Sequence, residues 1–234
     1  MNNYNEIREN VLKANLALVD AGLVILTWGN ASAADREKGI MAIKPSGVSY
    51  STLKSEDIVI QSIETGEVLS GSLRPSSDSP THLELYRAFP EVGGIVHTHS
   101  SFAVSWAQAE MEIPCYGTTH ADHFYGSVPL TRQLTAEEIE EAYEANTGKV
   151  IAERFRREKL NPLHFPGVLL PHHGPFTWGT DCYGAVKNAI ALEEIAKMAF
   201  YTETLNPSAR ETSPSQLNKH FSRKHGPKAY YGQN

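Results

Sequence analysis

Two histidines separated by a single residue, His97 and His99, lie in the apolar run "GGIVHTHSS" over 93–101. In a β-strand, residues i and i+2 project from the same face. The two imidazoles therefore converge on one volume while Thr98 faces away. Neutral imidazole is the commonest nitrogen ligand for metals, and Zn²⁺ takes three or four N, O or S donors. A further pair, His172 and His173, ends the apolar run of "LLPHHGPFTWG" ahead of a Gly-Pro turn. Two strands of one sheet could then present three imidazoles around an open fourth position, the pattern of a catalytic rather than a structural zinc. The competing reading of His97 and His99 alone is a hydrogen-bonded pair on a half-exposed strand. His82, His120, His123, His164, His220 and His225 follow no comparable pattern and are expected at the surface or behind the site. Asp78 precedes a helix start in "RPSSDSPTH"; it either caps that helix or serves as a carboxylate ligand or base beside the metal.

Three short polar stretches share one chemistry: "TWGN" at 27–30, "KPSG" at 44–47 and "PSSD" at 75–78. Each joins Gly, Pro, Ser or Asn at an element boundary. Such loops can aim backbone N–H groups and hydroxyls at a phosphate, with Lys44 adding charge. Each alone is also ordinary turn chemistry. Three of them in a chain with a metal pattern suggest a phosphorylated substrate.

These residues need a scaffold, and the composition allows one. The 234 residues suffice for a substantial core, with 41% hydrophobic and 21% charged residues. A net charge of -6 gives no general attraction to nucleic acid or anionic membrane. No apolar stretch approaches the length of a membrane span, and the polar start "MNNYNEIREN" does not read as a signal peptide. Cys115 and Cys182 make no disulfide framework, so a reduced, cytoplasmic setting is expected.

Periodicity predicts a helix over 5–21 and strands in "LVILTW", "GIMAI", "DIVIQSI" and "EVLSG", the last two joined by the hairpin signal "ETGE". Ser79 and Pro80 predict a helix start, with Ser79 as N-cap. "GGIVHTHS" reads as a strand and "SFAVSWAQA" as a helix. Thr135 and Glu138 form a capping box for a helix reaching about Lys159, "GVLLPHHG" reads as a strand, and 181–204 as an amphipathic helix. The whole of 1–234 is expected to be one α/β domain, a mostly antiparallel sheet with helices on both faces. Within the tail beyond about 206, the terminal "KHFSRKHGPKAYYGQN" is basic and aromatic with little apolar periodicity, and by composition alone reads as a frayed surface end.

Together "LTWGN", "IKPSG", "PSSDSPTH", "GGIVHTHS", "GTTHADHFYG", "HGPFTWG" and the terminal "RKHGPKAYYGQ" resemble the L-ribulose-5-phosphate 4-epimerase branch of the class II aldolase/adducin superfamily. The likeness runs over nearly the whole chain. It implies an α/β/α sandwich, a homotetramer with active sites between neighbouring subunits, and one Zn²⁺ per subunit on His97, His99 and His173, with Asp78 beside or on the metal. It implies that the phosphate of a pentulose phosphate lies on Gly29, Asn30, Ser46, Gly47, Ser76 and Ser77. Further substrate contacts would come from Lys44, Thr118, Glu144 and His220, and acid/base roles would fall to Asp122 and Tyr231. The tail, with His220 and Tyr231, would reach a neighbouring subunit. At "PHHG", where relatives carry H-x-H-G, His173 keeps the place beside Gly174 and His172 is a bystander.

The implied reaction explains why these parts are wanted. With the carbonyl at C2, the hydrogen on C4 of ribulose 5-phosphate is not acidic. Breaking C3–C4 is easier, because the electrons flow into the carbonyl, where a Lewis acid stabilises the charge. Re-addition to the other face of the aldehyde inverts C4, and proton transfer is then wanted on both faces. Two alternatives differ in class: a sugar-phosphate aldolase similar to fuculose-phosphate aldolase, which releases its fragments, and a metal-free binding module like the adducin head.

Overall fold

The computed structural model describes residues 4–226 and 229–230. Helix α1 (Asn5–Asp20) leads into strands β1 (Gly29–Asp35), β2 (Ile40–Ile43), β3 (Val59–Ser62) and β4 (Val68–Ser70). Helix α2 (Ser79–Ala88), strand β5 (Gly94–Thr98), helix α3 (Ser101–Gln108), the short α4 (Thr118–Ala121) and α5 (Ala136–Glu158) follow. Strands β6 (Gly167–Leu170) and β7 (Gly174–Gly179) and helices α6 (Cys182–Leu205) and α7 (Pro214–His225) complete the order. The sheet runs β4-β3-β2-β1-β5-β7-β6, and every pairing is antiparallel.

Period-2 alternation splits the sheet residues between two cores. Ile40, Ala42, Ala31, Ala33 and Val96 pack beneath α1 and α6, while Met41, Ile43, Ile95, Phe176 and Trp178 pack beneath α2 and α5. The result is the expected α/β/α arrangement. In this register His97 shares the α2/α5 face with Ile95, and its partner across β1 is Asn30.

Several local expectations need correction. The apolar run over 23–28 is not a strand. Trp28 N–H closes a turn onto the Ile25 carbonyl, Leu26 has φ 56°, and Ile25, Leu26 and Trp28 are exposed. The strand is the next stretch, "GNASAAD", whose Ala31 and Ala33 face α1 while Asn30 and Ser32 meet polar partners on the other side. β6 stops at Leu170; His172 and His173 lie in the turn before β7, with His172 at φ 60°. "GPFTWG", read as a turn, is β7. The N-cap of α2 is Asp78 rather than Ser79. The tail beyond 206 contains α7, capped by Ser213 accepting from Gln216 N–H. Of the histidines expected at the surface or behind the site, His82 and His120 are buried.

Candidate active site

The three histidines meet where β5 ends beside the β6–β7 turn. His97 is buried, His173 partly buried and His99 exposed, and one nitrogen of each lies within 4.8 Å of the others. His97 Nδ1 stands 2.9 Å from the Pro175 carbonyl, which can only accept, so Nδ1 carries the proton and Nε2 keeps its lone pair. That Nε2 lies 3.1 Å from His99 Nε2. Two nitrogens sharing a tetrahedral ion at Zn–N bonds of about 2.05 Å would stand roughly 3.3 Å apart. Phe176 stacks on His97 at 4.2 Å and 18°, fixing the ring plane. Burial and the neighbouring rings depress His99, and they depress His173 to about 3, so neutral, ligating imidazoles are favoured. The donor set fits a divalent ion with an open position.

Asp78 does not cap α2 with its side chain. Its Oδ2 accepts from Asn30 Nδ2 at 2.6 Å, and the same amide donates to Ser76 Oγ at 3.1 Å. Burial pushes the Asp78 carboxyl up, but the neighbouring His97 and His82 rings and the Asn30 bond outweigh it and hold it below the ordinary carboxylate range.

The polar loops lie beside this cluster. A bridge between Pro45 and Pro75, with Ser46 N–H on the Arg74 carbonyl and Ser76 N–H on the Lys44 carbonyl, ties "KPSG" to "PSSD". Gly29 (φ 145°) lets β1 approach β5 closely; a Cβ there would stand 2.9 Å from the His97 carbonyl oxygen. Lys44 is only 2% exposed. Its Nζ reaches the Pro45 carbonyl at 3.2 Å and lies 4.8 Å from the Tyr50 ring centre, with no carboxylate in ion-pair range among the described residues. Burial lowers its pKa. A buried ammonium without a carboxylate is a ready partner for an anionic ligand.

One cavity of about 430 Å³ is lined by Gly29, Asn30, Lys44, Ser46, Gly47, Ser76, Ser77, Asp78, His97, His99, Glu144 and His173. Thr27, Trp28 and Pro45, from two of the polar loops, line it as well, and so does Tyr143, which is absent from the sequence reading. Tyr143 gets there because α5 breaks helical geometry at Ala142, and its hydroxyl stands 3.3 Å from His173 Nδ1. A tyrosine in an acidic helical run carries no signal for this.

Thr118, Asp122 and His220 lie elsewhere. Asp122 lines a second cavity, of about 620 Å³, that shares no residue with the first. Its carboxylate accepts from Arg223 at 2.7 and 3.1 Å and lies 3.1 Å from His220 Nδ1, while His225 Nε2 donates to its backbone carbonyl. Burial raises the Asp122 pKa, but Arg223, His220 and Lys224 outweigh it and leave it lowered. Tyr231 lies outside the described residues.

Residues 9–200 match the family described as Class II Aldolase and Adducin N-terminal domain. Among solved structures, an L-fuculose 1-phosphate aldolase is similar at TM-score 0.78 and 25% identity, over 93% of this chain and 95% of that one. YgbL from Klebsiella pneumoniae gives TM-score 0.73 at 20% identity, over 94% of this chain and 99% of that one. L-fuculose-1-phosphate aldolase from Thermus thermophilus gives 0.67 at 21%, over 88% and 98%. The last two speak to the fold alone. With most of its length matched, and a three-histidine cavity built on that fold, the chain belongs to the class II aldolase and adducin N-terminal domain family.

Proposed function

We propose that this chain is a zinc-dependent epimerase that interconverts L-ribulose 5-phosphate and D-xylulose 5-phosphate by cleaving and re-forming C3–C4. The observation that carries the reading is the convergence on one cavity of three histidine nitrogens, Asp78 and Lys44, which has no carboxylate partner among the described residues. His97, His99 and His173 would hold the zinc, which would act as a Lewis acid toward charge developing on the C2 carbonyl oxygen.

The chain's own residues do the rest. Lys44, Ser46, Gly47, Ser76 and Ser77, with Gly29 and Asn30, hold the phosphate and keep the glycolaldehyde phosphate fragment from leaving while it turns over. Glu144 lines the same cavity and contacts the sugar. Asp122 and Tyr231 exchange the C4 hydroxyl proton on opposite faces of the aldehyde. Asp122 lines a different cavity from the histidines within one chain. In this reading it therefore serves a neighbouring subunit of a homotetramer, together with Thr118, His220 and the tail.

The "GTTHAD" loop and the terminal tyrosines favour the epimerase. The likeness to L-fuculose 1-phosphate aldolase favours a second reading, a sugar-phosphate aldolase that frees its fragments. Incubation with L-ribulose 5-phosphate separates them. The epimerase yields D-xylulose 5-phosphate with no free aldehyde; accumulation of glycolaldehyde phosphate would establish the aldolase instead.

A further inference from the structure

Beneath the histidine cavity lies a chain of three buried polar side chains. The hydroxyls of Tyr86 and Ser32 stand 2.8 Å apart, and Ser32 Oγ stands 2.7 Å from His82 Nδ1. Tyr86, Ser32 and His82 are each 0% exposed. Three polar groups in an apolar layer cost stability unless their bonds are made.

The proton order along the chain follows from counting. Ser32 Oγ is the only hydrogen-bond acceptor that meets the Tyr86 hydroxyl among the described residues. Tyr86 therefore donates to Ser32, Ser32 donates to His82 Nδ1, and the His82 proton sits on Nε2. The reverse order would leave a buried phenol proton without an acceptor. His82 Nε2 is itself buried and meets no hydrogen-bond partner among the described residues. So is Asn30 Oδ1, whose amide nitrogen holds Asp78. His82 follows Asp78 by one turn on the same face of α2, and its backbone N–H donates to the Asp78 carbonyl at 3.1 Å. Ser32 and Asn30 share one face of β1. A buried donor on α2, a buried acceptor on β1 and the carboxylate which that β1 residue holds thus lie in neighbouring elements behind the cavity.

We propose that His82 is a positioning residue: fixed as the Nε2–H tautomer by Ser32 and Tyr86, it holds Asp78 toward the three histidines through one buried water shared with Asn30 Oδ1. The chain makes Asp78 part of a preset arrangement instead of a freely rotating carboxylate. The proposal rests on the metal part of the function above and not on the choice of sugar.

The test is zinc affinity, measured by competition with a chelator on the full chain. His82→Leu should weaken binding about 10–100-fold, the usual scale for groups that orient metal-site residues. His82→Gln, which restores an N–H near the Nε2 position, should recover much of the loss. Tyr86→Phe removes one hydroxyl, keeps the ring, and should weaken binding in the same direction by less. In an Asp78→Asn background, His82→Leu should add little, because its route runs through Asp78. If His82→Leu does not fold, Tyr86→Phe and His82→Gln in the two backgrounds carry the same comparison. Wild-type affinity in Tyr86→Phe and His82→Leu, or losses that add in full to that of Asp78→Asn, would overturn the proposal. A wild-type chain that takes up no zinc would overturn the metal reading with it.

Discussion

Two of the molecule's cavities handle charge in opposite ways. The one at the ends of β1 and β5 keeps its groups uncommitted: Lys44 has no carboxylate in ion-pair range among the described residues, and His97 Nε2 and His99 Nε2 face each other at 3.1 Å. The one beneath α7 is neutralised, with Asp122 engaged by Arg223, His220 and Lys224. Unmatched donors and a buried cation mark a place built for something outside the chain. A carboxylate met by three cationic or imidazole groups is instead held ready in one orientation, ionised at neutral pH. This division suits the proposed roles, with binding and Lewis-acid chemistry in one cavity and proton transfer delivered from the other.

The difference can be broken first at the histidines. His97→Ala or His99→Ala should remove most bound zinc and reduce turnover to background while far-ultraviolet circular dichroism stays native. Metal analysis beside an activity assay checks this, and full occupancy with normal turnover in both variants would refute the assignment. Next come the proton-transfer groups. Tyr231→Phe and Asp122→Asn should each slow epimerisation about 10²–10⁴-fold, the ordinary scale for one acid/base group, with zinc retained. If the second cavity serves a neighbour, mixed and reassembled His97→Ala and Tyr231→Phe chains should regain part of the activity that neither has alone. Full activity in a chain truncated before Tyr230 would show that the terminal residues take no part.

A smaller effect is expected at the buried cation. Lys44→Met should raise KM for the phosphorylated sugar about 10–100-fold, the value of a charge-assisted hydrogen bond, and leave zinc content unchanged. Equal turnover of unphosphorylated L-ribulose by the wild type would remove the phosphate reading altogether. The smallest effect concerns stability. Burial depresses His120 to about 4, although its Nε2–H bond to the Gly126 carbonyl at 2.8 Å opposes the shift. The unfolded chain protonates this histidine near pH 6.5 and the folded chain only near 4. Stability should therefore be intact above pH 6.5 and fall as pH drops toward 4, by at most about 1.4 kcal/mol per pH unit from this group. Urea midpoints at pH 7 and pH 5 measure it, and His120→Gln should reduce the difference, the rest coming from His82, His123 and His173, which burial also depresses.

Much of the first cavity was legible because its signals are local. H-x-H on an apolar run, Asp78 before Ser79-Pro80 and the small polar loops each sit within a few residues of sequence. The strand beneath them was harder. "GNASAAD" carries little apolar weight because one face sets only Ala31 and Ala33 against α1 and the other holds Asn30 and Ser32 on polar partners beside Ala34. The neighbouring "LVILTW" is apolar yet mostly exposed, so hydropathy favoured the wrong segment. α7 announced itself only by Ser213-Pro214, since it buries a single side chain, Phe221. The Ala142 break that brings Tyr143 to His173, and the burial of His82 against Ser32, depend on packing between α2, α5 and the sheet. No local pattern encodes them.

The most direct test of the central claim is one NMR time course with L-ribulose 5-phosphate in D₂O, run on zinc-loaded and zinc-stripped protein. The account predicts D-xylulose 5-phosphate with its C4 hydrogen retained, since only the C3–C4 bond breaks, and turnover that depends on zinc. Deuterium at C4, release of glycolaldehyde phosphate in place of the epimer, or an undiminished rate after zinc removal would contradict it.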